Sequence, residues 1–234
     1  MKILLISPLV YAVNEKTRYA GIEKLVWEYS RELVKNHEVS VIAHKDSVYP
    51  QGVTLLSGVP EGDPYTIGEL RIYQSYQRLF RSFDIIHDFS HGHLAARYNV
   101  VLPIVSVFWH APAIAQYPKA PYNIIGISKW ACREFKRVYH QEARFQETIT
   151  VDADVYKPSD LPKTDRFLSL GIFTPEKGHV LAATLCKQLG VGLDIVGASP
   201  KERADNPQQI EYETALRALV DGTQIKILGE ISDE

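Results

Sequence analysis

The sequence predicts an α/β protein built from two successive parallel sheets. Short apolar, β-branched runs alternate with amphipathic helical patterns along the chain of 234 residues. A stretch rich in proline, serine and charge, residues 156–165, interrupts this alternation once. The alternation then restarts, so we expect two groups of parallel strands, each covered by helices.

Composition excludes several classes of protein. The chain is 45% hydrophobic and 23% charged, which is typical of a globular protein with a large core. Its formal net charge is -2, so no overall basic field favours nucleic acid as a partner.

The cysteines and the apolar segments indicate the compartment. Cys132 and Cys186 are far apart in predicted helices, which suits neither a disulfide framework nor a zinc site. Residues 1–10 lack a small-residue cleavage site and predict a first strand rather than a signal peptide. The longest apolar stretch, residues 100–109, contains Pro103 and is too short to span a bilayer. We expect a cytoplasmic protein.

The first predicted domain comprises residues 1–160. It opens with a βαβ unit: a strand over 2–7, a helix over 21–36 with one apolar face, and a strand over 39–43. Further strands are predicted over 53–56, 84–87, 104–108, 124–127 and 148–151, and further helices over 67–83, 91–98 and 129–143.

The second predicted domain comprises residues 161–234. Its strands are predicted over 166–170, 192–196 and 224–228, and its helices over 176–189 and 208–220. A doubly wound domain needs on the order of 150 residues, so we expect this domain to be partial.

Ligands bind beyond the carboxyl ends of parallel strands, so the residues after each strand are the candidates for a site. Gly21 begins the first helix, where a phosphate could approach free N–H groups; an ordinary turn glycine is the alternative. In the second domain, Thr174 suits an N-cap, Pro175 the first helical position and Glu176 the first turn. Lys177 opposes the helix dipole there, which favours a bound anion over a solvated lysine.

Two other groups invite a metal or polar-site interpretation. His87, His91 and His93 straddle a strand end and a loop without further ligands, so we expect no metal. His110 follows an apolar strand and is either a polar group for a ligand or a core histidine. The Asp-x-Asp pair at 152–154 matches a metal–diphosphate motif, but its position before the linker favours a turn.

Together these motifs resemble the retaining family 4 glycosyltransferases of the GT-B fold, which consist of two Rossmann-like domains. The resemblance covers the whole chain in order. Its motifs are Gly21-Ile-Glu, Asp84-Ile-Ile-His-Asp, His110, Asn123-Ile-Ile-Gly-Ile-Ser128, Val151-Asp-x-Asp-Val-Tyr-x-Pro158, Leu170-Gly, Pro175-Glu-Lys-Gly178, Asp194-Ile-Val-Gly197 and Ile227-Leu-Gly-Glu230.

The resemblance implies transfer of a sugar from a nucleotide diphosphate, UDP- or GDP-linked, to an acceptor hydroxyl with retention of configuration. It implies neither a metal nor another cofactor. By the same resemblance, Gly21 presents backbone to the donor phosphates, Lys177 neutralises the departing diphosphate and His110 contacts the donor sugar. Glu230 and Ile231 then meet the base.

The first domain is expected to receive the acceptor, with Asp88 and His91 on that side. The acceptor itself does not follow from the residues. The predicted helix over 67–83 combines arginines with aromatic residues, so it could rest on an anionic membrane at the inner face; core aromatics with solvated arginines are the alternative.

The sequence also departs from the family. Ile172 stands where family members usually carry a second phosphate-binding arginine, and the paired glycines of the first loop are reduced to Ala20-Gly21. The family's two glutamates, seven residues apart, are absent. The alternative to an enzyme is therefore a non-catalytic GT-B-like module, or one that a further subunit completes.

Overall fold

The computed structural model describes residues 1–17, 20–58, 67–98, 103–109, 120–145, 157–158, 160, 162–200 and 204–231. The chain divides into two compact units, Met1–Tyr156 and Lys157–Glu234. The predicted boundary, between residues 160 and 161, lies close to this division.

The first unit is a parallel sheet with helices between its strands. Its strands are β1 (Lys2–Ile6), β2 (Glu38–His44), β3 (Thr54–Gly58), β4 (Ile85–Asp88), β5 (Ile104–Phe108), β6 (Ile124–Gly126) and β7 (Arg144–Phe145). Its helices are α1 (Gly21–Leu33), α2 (Ile67–Tyr76), α3 (Leu94–Tyr98) and α4 (Lys129–Tyr139).

The seven strands lie in the order β3-β2-β1-β4-β5-β6-β7. Successive residues of β1 point to opposite faces, so Leu4 and Ile6 enter one core cluster while Ile3 and Leu5 enter another. A central strand is buried on both faces because helices cover both sides of a parallel sheet. β2 pairs with β1 on one side, and β4 pairs with β1 on the other. The strand order therefore reverses between β1 and β4, which is the switch point of the sheet.

Local residue chemistry fixes α4 against the sheet. The Ser128 hydroxyl accepts from the Ala131 N–H and caps the first turn. A Cβ at Gly126 would lie 2.5 Å from the Cys132 sulfur, so only glycine lets the helix approach β6 this closely. His140, with a φ of 55°, ends α4 in the left-handed conformation.

Several predicted bounds were wrong. The helix predicted over 67–83 ends at Tyr76, and a 3-10 turn at Phe80–Ser82 follows it. That turn also spaces side chains by three, so the apolar pattern continued past the end of the helix. The helix predicted over 129–143 ends at Tyr139, and β7 was not predicted. The strand predicted over 148–151 lies outside the described residues.

The second unit is smaller, and its described helices pack together against one face of its sheet. Its strands are β8 (Arg166–Leu170), β9 (Gly192–Val196) and β10 (Ile225–Gly229), in the order β10-β9-β8. Its helices, α5 (His179–Leu189) and α6 (Pro207–Leu219), share one core cluster with Leu193, Ile195 and Ile225. Asn206 caps α6 by accepting from the N–H groups of Gln208 and Gln209.

Arg166 holds the amino end of this sheet together. Its guanidinium donates to Asp194 at 2.6 Å and to the carbonyls of Leu193, Thr223 and Gln224. The hydrogen bond from Arg166 holds the pKa of Asp194 below its usual range. β8, β9 and the returning chain before β10 are therefore tied at one end, which leaves the opposite, carboxyl end to loops.

No helix in the described part of the chain is long and apolar enough to cross a membrane. Around α2, Phe80 is buried and Tyr73, Tyr76 and Phe83 pack against the same core cluster. These aromatic residues therefore take part in the core.

Candidate functional site

A glycine stands at the carboxyl end of each strand of the second sheet, and each has a positive φ angle that other residues rarely adopt. Gly171, Gly197 and Gly229 have φ angles of 146°, 150° and 75°. Gly171 N–H donates to the Val196 carbonyl, and Gly197 N–H donates to the Gly229 carbonyl, both at 3.0 Å. The three loops at the carboxyl edge are thus linked to one another by backbone hydrogen bonds.

Gly197 and Gly171 approach each other so closely that no side chain fits between them. A Cβ at Gly197 would lie 1.8 Å from the carbonyl oxygen of Gly171. Because no side chain separates these glycines, a ligand can approach the backbone of this edge closely, as anions do at glycine-rich strand ends.

Lys177 lies above this glycine edge. A Cβ at Gly171 would lie 3.3 Å from Lys177 Cδ, so glycine leaves room for the lysine stem. The ammonium is exposed, and no described residue forms an ion pair or hydrogen bond with it. An unpaired cation beside bare backbone at a strand end is an arrangement that suits an anion.

The helix that carries this loop begins later than predicted. Pro175–Lys177 is a 3-10 turn, and Gly178, with a φ of 70°, separates it from α5, which starts at His179. Thr174 precedes the turn, and its side chain makes no capping hydrogen bond. Lys177 is therefore the last residue of a turn rather than part of the first turn of α5, because the left-handed glycine interrupts the helix.

Two buried side chains fix the loop from beneath. His179 Nδ1 lies 2.8 Å from the Ser169 hydroxyl and Nε2 lies 3.0 Å from the Ile172 carbonyl. Since a carbonyl can only accept, Nε2 carries the proton and Nδ1 accepts from serine. Gln209 on α6 donates to the Phe173 carbonyl. The loop backbone is therefore preorganised by its neighbours.

The other predicted donor-side residues are exposed. Glu230 and Ile231 follow β10 at the same carboxyl edge as Lys177. Gly21 lies in the first unit at the start of α1, and nothing lies within 4 Å of the place where its Cβ would be. The structure thus brings Lys177, Glu230 and Ile231 to one sheet edge, and Gly21 begins a helix in the other unit.

Asp88 and His91 lie together after β4. Asp88 is fully buried, its Oδ1 accepts from the Ser90 N–H and hydroxyl, and burial raises its pKa to about 6. The His91 N–H donates to Glu69 at 2.6 Å, and the Gly92 N–H donates to the other Glu69 oxygen. Two buried carboxylates therefore shape this loop.

A third buried carboxyl lies at the start of α1. Glu23 is 4% exposed and accepts from the Tyr11 N–H at 3.3 Å. Burial raises its pKa to about 7, against smaller opposing effects of its backbone hydrogen bonds. Glu23 therefore changes charge near neutral pH.

His87 lies within β4, and His91 and His93 follow it. Burial lowers the pKa of His87 to about 4, and its ring centre lies 4.1 Å from that of Phe89 at an interplanar angle of 39°. Within the described ranges, no group of three or more histidine, cysteine, aspartate or glutamate side chains could hold a metal ion. His110 and the Asp-x-Asp pair at 152–154 lie outside the described residues.

Sequence reasoning missed Glu69, Glu23 and His179. A single acidic residue in the apolar start of α2 is a signal for Glu69, and the Gly21-Ile-Glu motif contains Glu23. No sequence pattern singles out His179, because its two hydrogen-bond partners come close to it only in the folded chain.

The sequence matches no protein-family profile and no curated protein. Solved structures do match. AviGT4, a glycosyltransferase involved in avilamycin A biosynthesis, is 22% identical with a TM-score of 0.62, over 99% of this chain and 64% of that chain. Anabaena HepE in complex with UDP is 15% identical with a TM-score of 0.65, over 100% of this chain and 70% of that chain.

Sucrose-phosphate synthase from Thermosynechococcus elongatus is 13% identical with a TM-score of 0.64, over 99% of this chain and 71% of that chain. The chain thus spans 64% of the length of AviGT4. Identities this low establish the fold alone. The predicted fold class is confirmed: the chain has an α/β, GT-B-like fold, with a seven-stranded parallel sheet followed by a smaller parallel sheet.

Proposed function

We propose that the protein is a glycosyltransferase that moves a sugar from a nucleoside diphosphate to an acceptor hydroxyl. The observation that carries the proposal is the carboxyl edge of the second sheet. There, Lys177 lies beside the bare backbone of Gly171, and Gly197 closes the edge.

This edge suits a diphosphate leaving group. As the glycosidic bond breaks, negative charge grows on the diphosphate, so groups aimed at it stabilise the transition state more than the ground state. Lys177 supplies a cation that no described residue neutralises. The first N–H groups of α5 have no partner within the helix and add a partial positive charge.

The finer assignments rest on the family resemblance. We propose retention of configuration, no metal, His110 beside the donor sugar, Gly21 facing the donor phosphates, and Glu230 with Ile231 at the base. Because HepE was solved with UDP and with UDP-glucose, UDP is the diphosphate that we test first. The two cysteines are unpaired, which favours the reducing cytoplasm.

Lys177→Ala should weaken UDP binding at least about tenfold, because a charge-assisted hydrogen bond contributes roughly 1.5–3 kcal/mol. Isothermal titration calorimetry of the wild-type protein and the variant measures this effect. Lys163→Ala is the matched control, since Lys163 is also exposed but precedes β8 at the amino end of the sheet.

Equal affinities in Lys177→Ala and wild type would remove the phosphate assignment. A loss of affinity in both lysine variants would indicate a general charge effect rather than a contact at Gly171.

A second candidate is a GT-B-like module that a further polypeptide segment completes. β8 and β1 each begin a βαβ unit, yet their burial differs. In β1, Leu4 and Leu5 are both 0% exposed, whereas in β8 Phe167 and Leu168 are 60% and Leu170 is 63% exposed. β4 pairs with β1 on the side away from β2; no described strand pairs with β8 on the side away from β9.

Helix α5 carries a second exposed apolar row. Leu181, Leu185 and Leu189 recur every fourth residue and are exposed. Lys187 of the same helix pairs with Asp221 just before β10, at 3.3 Å. At 100° per residue, Leu185 lies about 160° around the helix from Lys187, so the leucines face away from β10. We propose that a parallel strand and helix, from the same polypeptide or from a completing subunit, cover β8.

A further inference from the structure

The switch point of the first sheet contains a small cavity. Residues from the ends of β1 and β4, among them Ser7 and Asp88, line it, and Glu69 on α2 forms part of its wall. Its volume of about 20 Å³ is enough for one water-sized group. The crevice outside two strands that diverge in this way is where open α/β sheets bind ligands.

Buried polar atoms in this cavity lack partners. Asp88 Oδ2 and Ser7 Oγ are both buried, and neither has a hydrogen-bond partner in the described part of the molecule. The Tyr49 hydroxyl approaches Ser7 without forming a hydrogen bond. Ser106, which lies opposite Asp88 in the β4–β5 register, has a buried unpaired hydroxyl as well.

Unpaired buried polar groups cost about 1–3 kcal/mol each, so a group that pairs with them is favoured. Asp88 Oδ2 can accept a hydrogen bond, and the Ser7 hydroxyl can donate one as well as accept one. A hydroxyl group satisfies both, because it also donates and accepts.

The charges around the cavity exclude anions. Asp88 and Glu69 both line it, and Glu69 is held in place by the N–H groups of His91 and Gly92. Arg97 donates to the Gly92 carbonyl at 2.6 Å and fixes the loop from the other side. Its charge offsets part of the negative potential at Asp88. Two carboxylates in one apolar pocket nevertheless repel a phosphate or carboxylate.

We infer that this cavity binds one uncharged hydroxyl or hydroxymethyl group, which donates to Asp88 Oδ2 and shares a hydrogen bond with Ser7 Oγ. The volume of the cavity fits one such group. The assignment of the acceptor as a neutral hydroxyl compound rests on the proposed function. The inference that this cavity binds a hydroxyl group does not depend on it.

Methyl NMR tests this with ethylene glycol as the probe and formate as the anionic comparison. Ethylene glycol should shift the methyl signals of the isoleucines and leucine that line the cavity, Ile6, Ile42, Ile72 and Leu9. Formate should not shift them. Ser7→Ala should raise the apparent Kd for ethylene glycol about tenfold, whereas Ser75→Ala, on the exposed surface of α2, should leave it unchanged.

Asp88→Asn sharpens the test. Because Oδ1 accepts from Ser90, the new amide NH₂ should face the cavity, so formate should bind this variant and shift the same methyl groups. The inference is overturned if ethylene glycol shifts none of these methyl signals, if Ser7→Ala binds it as the wild type does, or if formate binds the wild type equally well. Failure of UDP to bind the second unit, with ethylene glycol still binding here, would reject the proposed function but not this site.

Discussion

Gly197→Ala should destabilise the second unit by at least about 3 kcal/mol, a large share of the 5–15 kcal/mol that stabilises a typical domain. The new methyl group would lie 1.8 Å from the Gly171 carbonyl oxygen, so backbone has to move. The φ of 150° adds conformational strain in any residue except glycine. The loop that carries Lys177 should lose its fixed position at the same time.

Hydrogen exchange is the suitable measurement, since the three tryptophans, Trp27, Trp109 and Trp130, all lie in the first unit and do not report on the second. Amides of β9 should exchange much faster in Gly197→Ala. Gly222→Ala is the control: its φ is 75° and nothing lies within 4 Å of its Cβ position. We expect about 1–2 kcal/mol there, from strain alone. Equal effects of the two variants would contradict the close approach at Gly197.

Glu23→Gln should remove a pH dependence of roughly 3 kcal/mol from the stability of the first unit. Burial raises the pKa of Glu23 from 4.5 to about 7. Between these values the unfolded chain has released the proton and the folded chain has kept it. The free energy of unfolding of the wild type therefore falls as pH rises through this window and levels off above it. Glutamine carries no charge at any pH and lacks this fall.

Urea unfolding followed by tryptophan fluorescence, which reports on the first unit, measures the difference between pH 4 and pH 8. The variant should gain stability relative to the wild type by roughly 3 kcal/mol over this range. The control is Glu28→Gln on the same helix, where Glu28 is partly exposed and pairs with Arg31 at 2.8 Å. It should change stability by less than about 1 kcal/mol. A difference between Glu23→Gln and wild type that does not vary with pH would refute the burial of this carboxyl.

Sequence periodicity predicted the strands well because they form short, continuous apolar runs between turn residues. β5, β8 and β9 have the predicted bounds. Helix ends were predicted less well, since they depend on single backbone conformations. The left-handed Gly178 delays α5, and the 3-10 turn after α2 keeps the apolar spacing of a longer helix.

Only part of the candidate site was predictable from the sequence. The strand-end glycines and Lys177 were visible as motifs, because such loops follow predicted strands. The contact of Gly197 with Gly171 depends on two loops that are distant in sequence, and the pairing of Glu69 with the His91 loop depends on how α2 packs. Such contacts follow from tertiary packing, which a residue pattern does not contain.

Hydrogen exchange of the 234-residue chain with and without UDP, with GDP and ADP as comparisons, tests directly whether the second sheet binds a diphosphate. We expect one nucleoside diphosphate to protect the amides of residues 171–178, 197–200 and 229–231, where the strand-end glycines and Lys177 lie. Protection by none of the three, or protection only at other parts of the chain, would contradict a diphosphate site at the carboxyl edge of the second sheet.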